Sequence, residues 1–253
     1  MKKMILCLIL AGSLFQKLGA QEIFIPYGKI SFEKRINVQR STQELNLSDQ
    51  AREKLGRYRI SKWELYFDQD KSVYKNLRKE TENDNPLFFL SISEPDNQQY
   101  TDYRSKSRIL KKNIMGEDYL LKDSIPAVQW KILHDLRSIA GYECRKAVGI
   151  INDSVYVVAF YTEEILLKGG PEGFSGLPGM ILGLAIPRYN TTWFATAVSG
   201  FSNYTEQLVP PQKGKRTDTD KEMQKLLETY SRYRGNGKEK PEDVRRQLLG
   251  FVL

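Results

Sequence analysis

From Tyr103 to Phe201 the chain is a succession of β-branched and aromatic runs separated by polar or glycine-containing turns. No other feature constrains the fold as much, because period-two runs of this length bury one face of a strand and cannot sit as helices. Val128, Trp130 and Ile132 fall on one face by period two, and Tyr142, Cys144 and Val148 do the same on the next run. Asn152-Asp153 marks a turn before a run from Ser154 to Tyr161. Met180 to Ile186 is apolar between Gly179 and Pro187, and Thr191 to Val198 follows. Successive strands with short turns predict a mainly β (α+β) fold: an antiparallel meander, as a curved sheet or open barrel.

Upstream, residues 29–38 alternate as a half-buried strand with an expected kink at Lys34-Arg35. Ser48 is placed to cap a short helix from Asp49 to Tyr58. Trp63 to Phe67, the turn Asp68-Gln69-Asp70-Lys71 and Ser72-Val73-Tyr74 form an expected hairpin. Residues 79–86 and 93–105 are polar and predict surface loops around a short strand at Leu87–Leu90. Residues 213–253 predict a helical extension: Thr219 and Glu222 make a capping box, Asn236-Gly237 interrupts, and Pro241 suits a second start. The organisation expected is thus a leader at 1–20, an antiparallel β domain at 21–212 and a basic helical extension at 213–253.

The leader reading comes from Lys2 and Lys3, the apolar run Met4–Phe15 and a small-residue exit at Gly19-Ala20. The run is too short to span a bilayer, so no transmembrane segment is expected after its removal. Export to the periplasm or cell surface follows. Cleavage would take Lys2, Lys3, Lys17 and Cys7 away, leaving a net charge of +5 in place of +8 and Cys144 as the only thiol. Hydrophobic residues at 40% exclude a disordered chain, and a lone thiol excludes an internally disulfide-stapled scaffold. The excess positive charge collects in residues 213–253, with no basic stripe interleaved with aromatics, so no nucleic acid is expected as partner.

The segment Gly169 to Leu184 holds six of the 18 glycines. Pro178-Gly179 predicts the centre of a type II turn feeding a buried strand. Gly173 and Gly176 permit close backbone approach, with Phe174 and Leu177 plugging the core. Three catalytic readings fail on detail. No Gly-Lys-Ser/Thr closes a phosphate loop, a strand follows where a dinucleotide fingerprint needs a helix, and Leu177 stands where a nucleophile elbow needs Gly.

Gly176-Leu177-Pro178-Gly179-Met180-Ile181 resembles the signature of the GLPGLI family of exported bacterial proteins. Its flanks resemble that family too: Gly141, Tyr142, Cys144, Lys146 and Ala147; Tyr161 and Thr162; Gly170, Pro171 and Phe174. Phe160, Met180 and Gly183 depart from its pattern. The resemblance implies a structural motif, no catalytic, cofactor or metal residue, and a non-enzymatic accessory or binding role near TonB-dependent outer-membrane transport.

Alternatives rest on single residues. A curled sheet would offer an apolar groove for a lipid or hydrophobic peptide. Ser175 or Cys144 could serve a hydrolase, Cys144 with the sole histidine, His134. One His and one Cys exclude a four-ligand N/S zinc site. Asp68 and Asp70 leave a calcium loop open, without the glycine and terminal glutamate of an EF-hand. Glu163 and Glu164 point to opposite faces of a strand and cannot form an acid/base pair.

Overall fold

A computed structural model describes residues 24–41, 48–50, 53, 56–77, 97–114, 117–125, 127–151, 155–218, 221 and 224. Among these, twelve strands form one sheet. They are β1 (Gly28–Asn37), β2 (Tyr58–Phe67), β3 (Lys71–Asn76), β4 (Gln98–Asp102), β5 (Ser107–Ile114), β6 (Glu117–Ser124), β7 (Gln129–Ile139), β8 (Tyr142–Ile151), β9 (Val155–Thr162), β10 (Met180–Ile186), β11 (Thr191–Gly200) and β12 (Lys215–Thr217). The order is β12-β6-β5-β4-β3-β2-β1-β11-β10-β9-β8-β7. Two antiparallel meanders, β2–β6 and β7–β11, therefore flank β1, which pairs with both β2 and β11. Only β12 runs parallel to its neighbour, β6. The two edge strands stand at opposite ends of this order, so the sheet is open rather than a closed barrel. No described helix is long and apolar enough to cross a membrane.

The central strand shows why the sequence folds this way. Ile30, Phe32 and Lys34 alternate as buried positions along β1. Ile30 pairs with Leu65 and Phe32 with Trp63 across the β2 ladder. Each fully buried side chain of this size stabilises by about 1.5–3 kcal/mol. The expected kink at Lys34-Arg35 is absent: β1 is continuous, its irregularity against β11 lies at Ser31/Phe32, and Lys34 points inward. The β7–β8 turn is Ala140-Gly141, with φ of 51° and 89°. Positive φ at both central residues is the mark of the type I′ hairpin that matches strand twist.

Other expectations change on contact with the fold. The polar stretch 93–105, read as surface loop, contains β4, with Gln99 and Thr101 buried. Residues 49, 50 and 53 are helical, but the helix does not reach Tyr58: Gly56 has φ 68° and Tyr58 opens β2. Val148 does not share the buried positions of Cys144, because burial switches to Ala147 and Ile151 along β8. Residues 215–217, at the start of the basic extension, form β12. Leu87–Leu90, the Asn152-Asp153 turn and the two tail helices, apart from Lys221 and Gln224, which are helical, lie outside the described residues.

Candidate functional site

Residues 163–179, between β9 and β10, fold back onto the sheet and bury most of their length. Ile165, Leu167, Phe174 and Leu177 are all inside. The N-terminal segment holds this loop: Ile25 donates to the Glu164 carbonyl at 2.8 Å and accepts from Leu166 at 3.0 Å. Ile181 of β10 donates to the Gly169 carbonyl at 2.8 Å. Glycine is needed where the loop touches the sheet, since a Cβ at Gly169 would lie 2.2 Å from the Tyr103 hydroxyl. The type II turn at Pro178-Gly179 does not form, for residues 177–179 make a bend and Gly179 is not among the positive-φ glycines. Its glycine is required by contact instead: a Cβ there would sit 1.9 Å from the Thr162 carbonyl oxygen.

At the innermost point of the loop lies Glu172, a non-glycine residue at φ 53° and only 6% exposed. Its carboxylate accepts from Trp193 Nε1 at 3.1 Å and pairs with Lys34 Nζ at 3.3 Å. Lys34 in turn lies between two indoles, 5.3 Å from the Trp63 ring centre and 5.4 Å from that of Trp193. Trp63 stacks on Tyr74 at 4.7 Å. A buried carboxylate is tolerable only with such compensation. The strained backbone at Glu172 is thus held by an ion pair, an indole donor and cation–π contacts.

Polar groups continue across β3, β4 and β5 as Ser72, Gln99, Thr101, Arg108 and Lys112, all buried. Arg108 Nη2 donates to Asp123 at 3.2 Å, while Nε and Nη1 and the Gln99 Oε1 atom have no hydrogen-bond partner among the described residues. Burial pulls the Arg108 guanidinium below its usual pKa, against the opposing charges of Asp123 and Glu172. Burial likewise pushes the Tyr103 hydroxyl up to about 12.

The outer side of the same loop is open. It meets Val128, Trp130 and Ile132 at the start of β7, and between them lies a depression of about 410 Å³. Lys168, Gly176, Leu177 and Pro178 form the loop side of this depression. Trp130 Nε1 donates to the Ser175 carbonyl at 2.8 Å, which fixes the indole against the loop.

The residues singled out for chemistry are not brought together. Ser175 uses its backbone carbonyl to hold Trp130. Cys144 is fully buried, its Sγ donating weakly to the Tyr142 carbonyl at 3.6 Å, and burial pushes its thiol up to about 12. A thiol so placed is poorly suited to be a nucleophile. His134 is exposed on β7, in the stretch where that strand's register shifts, and no bond joins it to Cys144. Asp68 Oδ1 caps its own turn by accepting from Asp70 and Lys71, and Asp70 pairs with Arg104. Among the described residues no cluster of three or more His, Cys, Asp or Glu is arranged to hold a metal. Nothing in the sequence sets Glu172 or Arg108 apart, and Lys34 stands out only as one half of an expected kink. Lys34 shares the inward parity of Ile30 and Phe32, and that parity was the available signal.

Residues 72–221, more than half of the chain, match the family described as N-glycanase peptide, N-terminal domain. Two solved structures of PNGF-II, in C2 and P21 crystal forms, share the fold with a TM-score of 0.51 and 15% identity. They cover 77% and 81% of this chain but only 31% and 34% of their own. The chain therefore spans about a third of the length of those proteins. No curated protein matches it. The family match overturns the GLPGLI assignment, and with it the expected non-enzymatic role beside outer-membrane transport. The likeness rested on short motifs between Gly141 and Ile181, whereas the matched span includes nine of the twelve strands.

Proposed function

Because the chain belongs to the N-glycanase peptide, N-terminal domain family, we propose that it takes part in releasing N-linked glycans from peptides, as the β domain that meets the glycosylated peptide. The family match over residues 72–221 carries this reading. The matched span includes the glycine-rich loop, its Glu172 anchor and the open depression beside Trp130. The leader-like residues 1–20 fit the same role, since N-glycosylated substrates are found on secreted proteins. The test uses the purified chain with an N-glycosylated peptide and the same peptide lacking the glycan. Intrinsic tryptophan fluorescence reads binding and mass spectrometry reads glycan loss. A saturable response, or loss of glycan mass, confined to the glycosylated peptide is expected. No response, or equal responses to both peptides, overturns the reading.

A further inference from the structure

We infer that the depression beside the glycine-rich loop binds a pyranose ring bearing a carboxylate, with the ring on Trp130 and the carboxylate at Lys168. The inference rests on the N-glycan reading above and gives it a site and a substrate class.

Trp130 is held along two edges. Its benzo edge occupies the space left by Gly149, where a Cβ would lie 2.9 Å from Cε3. Its pyrrole edge lies against Gly176, and Nε1 is committed to the Ser175 carbonyl. An indole immobilised in the free protein has little rotamer freedom left to lose on binding. Its polar atom is also satisfied already, so what it offers a ligand is carbon surface. The apolar C–H face of a pyranose is the complementary partner for such a surface. The volume of about 410 Å³ lies within the range of small-ligand sites. Ile132 and Leu177 supply the apolar walls.

Charge selects the sugar. Among the described residues, Lys168 is the one charged side chain lining the depression, and no acid lines it. Among the described residues, no ion pair or hydrogen bond ties Lys168 to another residue. A carboxylate on the ring would give this ammonium a charge-assisted partner, which a neutral sugar lacks.

The test is calorimetric titration of the full chain with 3′-sialyllactose and with lactose at low ionic strength. Sialyllactose is expected to bind about tenfold more tightly than lactose, the discrimination of one charge-assisted hydrogen bond. Lys168→Gln should remove that preference, and 0.5 M salt should shrink it. Ile132→Glu, at a position already 44% exposed, should weaken sialyllactose at least about tenfold by placing a like charge in the site, without lowering Tm. Equal affinity for the two sugars, or undiminished sialyllactose binding in Ile132→Glu, overturns the inference. A glycopeptide response that survives in Ile132→Glu removes this site and leaves the N-glycan reading standing. Sialyllactose binding without any glycopeptide response does the reverse.

Discussion

On β9 and β10 the buried side chains are nearly all apolar, Val157, Ala159, Tyr161, Leu182 and Leu184 among them; β3, β4 and β5 bury Ser72, Gln99, Thr101, Arg108 and Lys112 alongside Val73, Tyr74 and Leu110. The two regions belong to one sheet and are comparably buried, yet one is almost wholly apolar and the other carries a row of polar groups among its apolar ones. Loop 163–179 joins them: it packs Phe174 and Leu177 into the apolar side, and its turn at 171–173, which carries Glu172, lies against β3 and β4. In the apolar half burial itself is the driving force. In the polar half burial costs free energy unless each group is matched, so the arrangement there depends on specific partners.

The largest effect should come from separating the matched charges. Lys34→Met leaves Glu172 buried without its cation and should cost about 3–5 kcal/mol, while adding Glu172→Gln should recover much of that loss. Urea denaturation of both variants reads it. If the double variant is no more stable than the single, the ion pair is not what holds the loop.

Next comes a direct contrast between the halves. Leu184→Ala should cost about 2–5 kcal/mol through lost burial and a residual cavity. Arg108→Met should change stability by no more than about 1 kcal/mol, because it removes a guanidinium with two unmatched nitrogens and leaves Asp123, which is 34% exposed, to its other partners and to water. A large loss in Arg108→Met would mean that the polar half is as tightly determined as the apolar one.

Gly179→Ala should cost about 1–3 kcal/mol, since its Cβ would meet the Thr162 carbonyl oxygen and the β9–β10 connection has to shift. Gly141→Ala faces open space and should cost only about 1 kcal/mol, from positive φ alone. Thermal melts of the two distinguish contact from conformation as the reason for glycine.

The smallest effect concerns the outer face, where Lys29 pairs with Glu64 at 2.6 Å and Tyr66 donates to the same carboxylate. Burial raises the Glu64 pKa, but the hydrogen bonds from Lys29 and Tyr66 outweigh it and hold the carboxyl below its ordinary 4.5. A depressed folded-state pKa stabilises above the unfolded value and loses that contribution as pH falls through the folded one. Stability should therefore fall below pH 4.5 by up to about 1 kcal/mol from this group, and Glu64→Gln should flatten that part of the profile. An unchanged acid limb in the variant would exclude Glu64 as its source.

The same contrast explains what was legible in advance. Strands β9, β10 and β11 were plain from residues 154–161, 180–186 and 191–198, because apolar and β-branched side chains signal burial wherever they occur. Strand β4 has the sequence Gln-Gln-Tyr-Thr-Asp, which predicts a loop, since nothing in a lone Gln or Thr says that a partner waits opposite. Glu172 was hidden for the same reason: its ion pair spans from residue 34 to residue 172. The glycine-rich corner is legible as a corner, but turn geometry, the reason the sequence suggests for Gly179, gives way to the nearby Thr162 carbonyl.

Local periodicity alone determined that this chain is mainly β and meandering, because the side-chain alternation of a strand is a property of the backbone at each residue. Which polar residues are buried, which indole is pinned and which cation is left open were decided only when distant segments met. Those outcomes depend on matching one specific group to another across the sheet, and such matching leaves no trace in any single stretch of sequence.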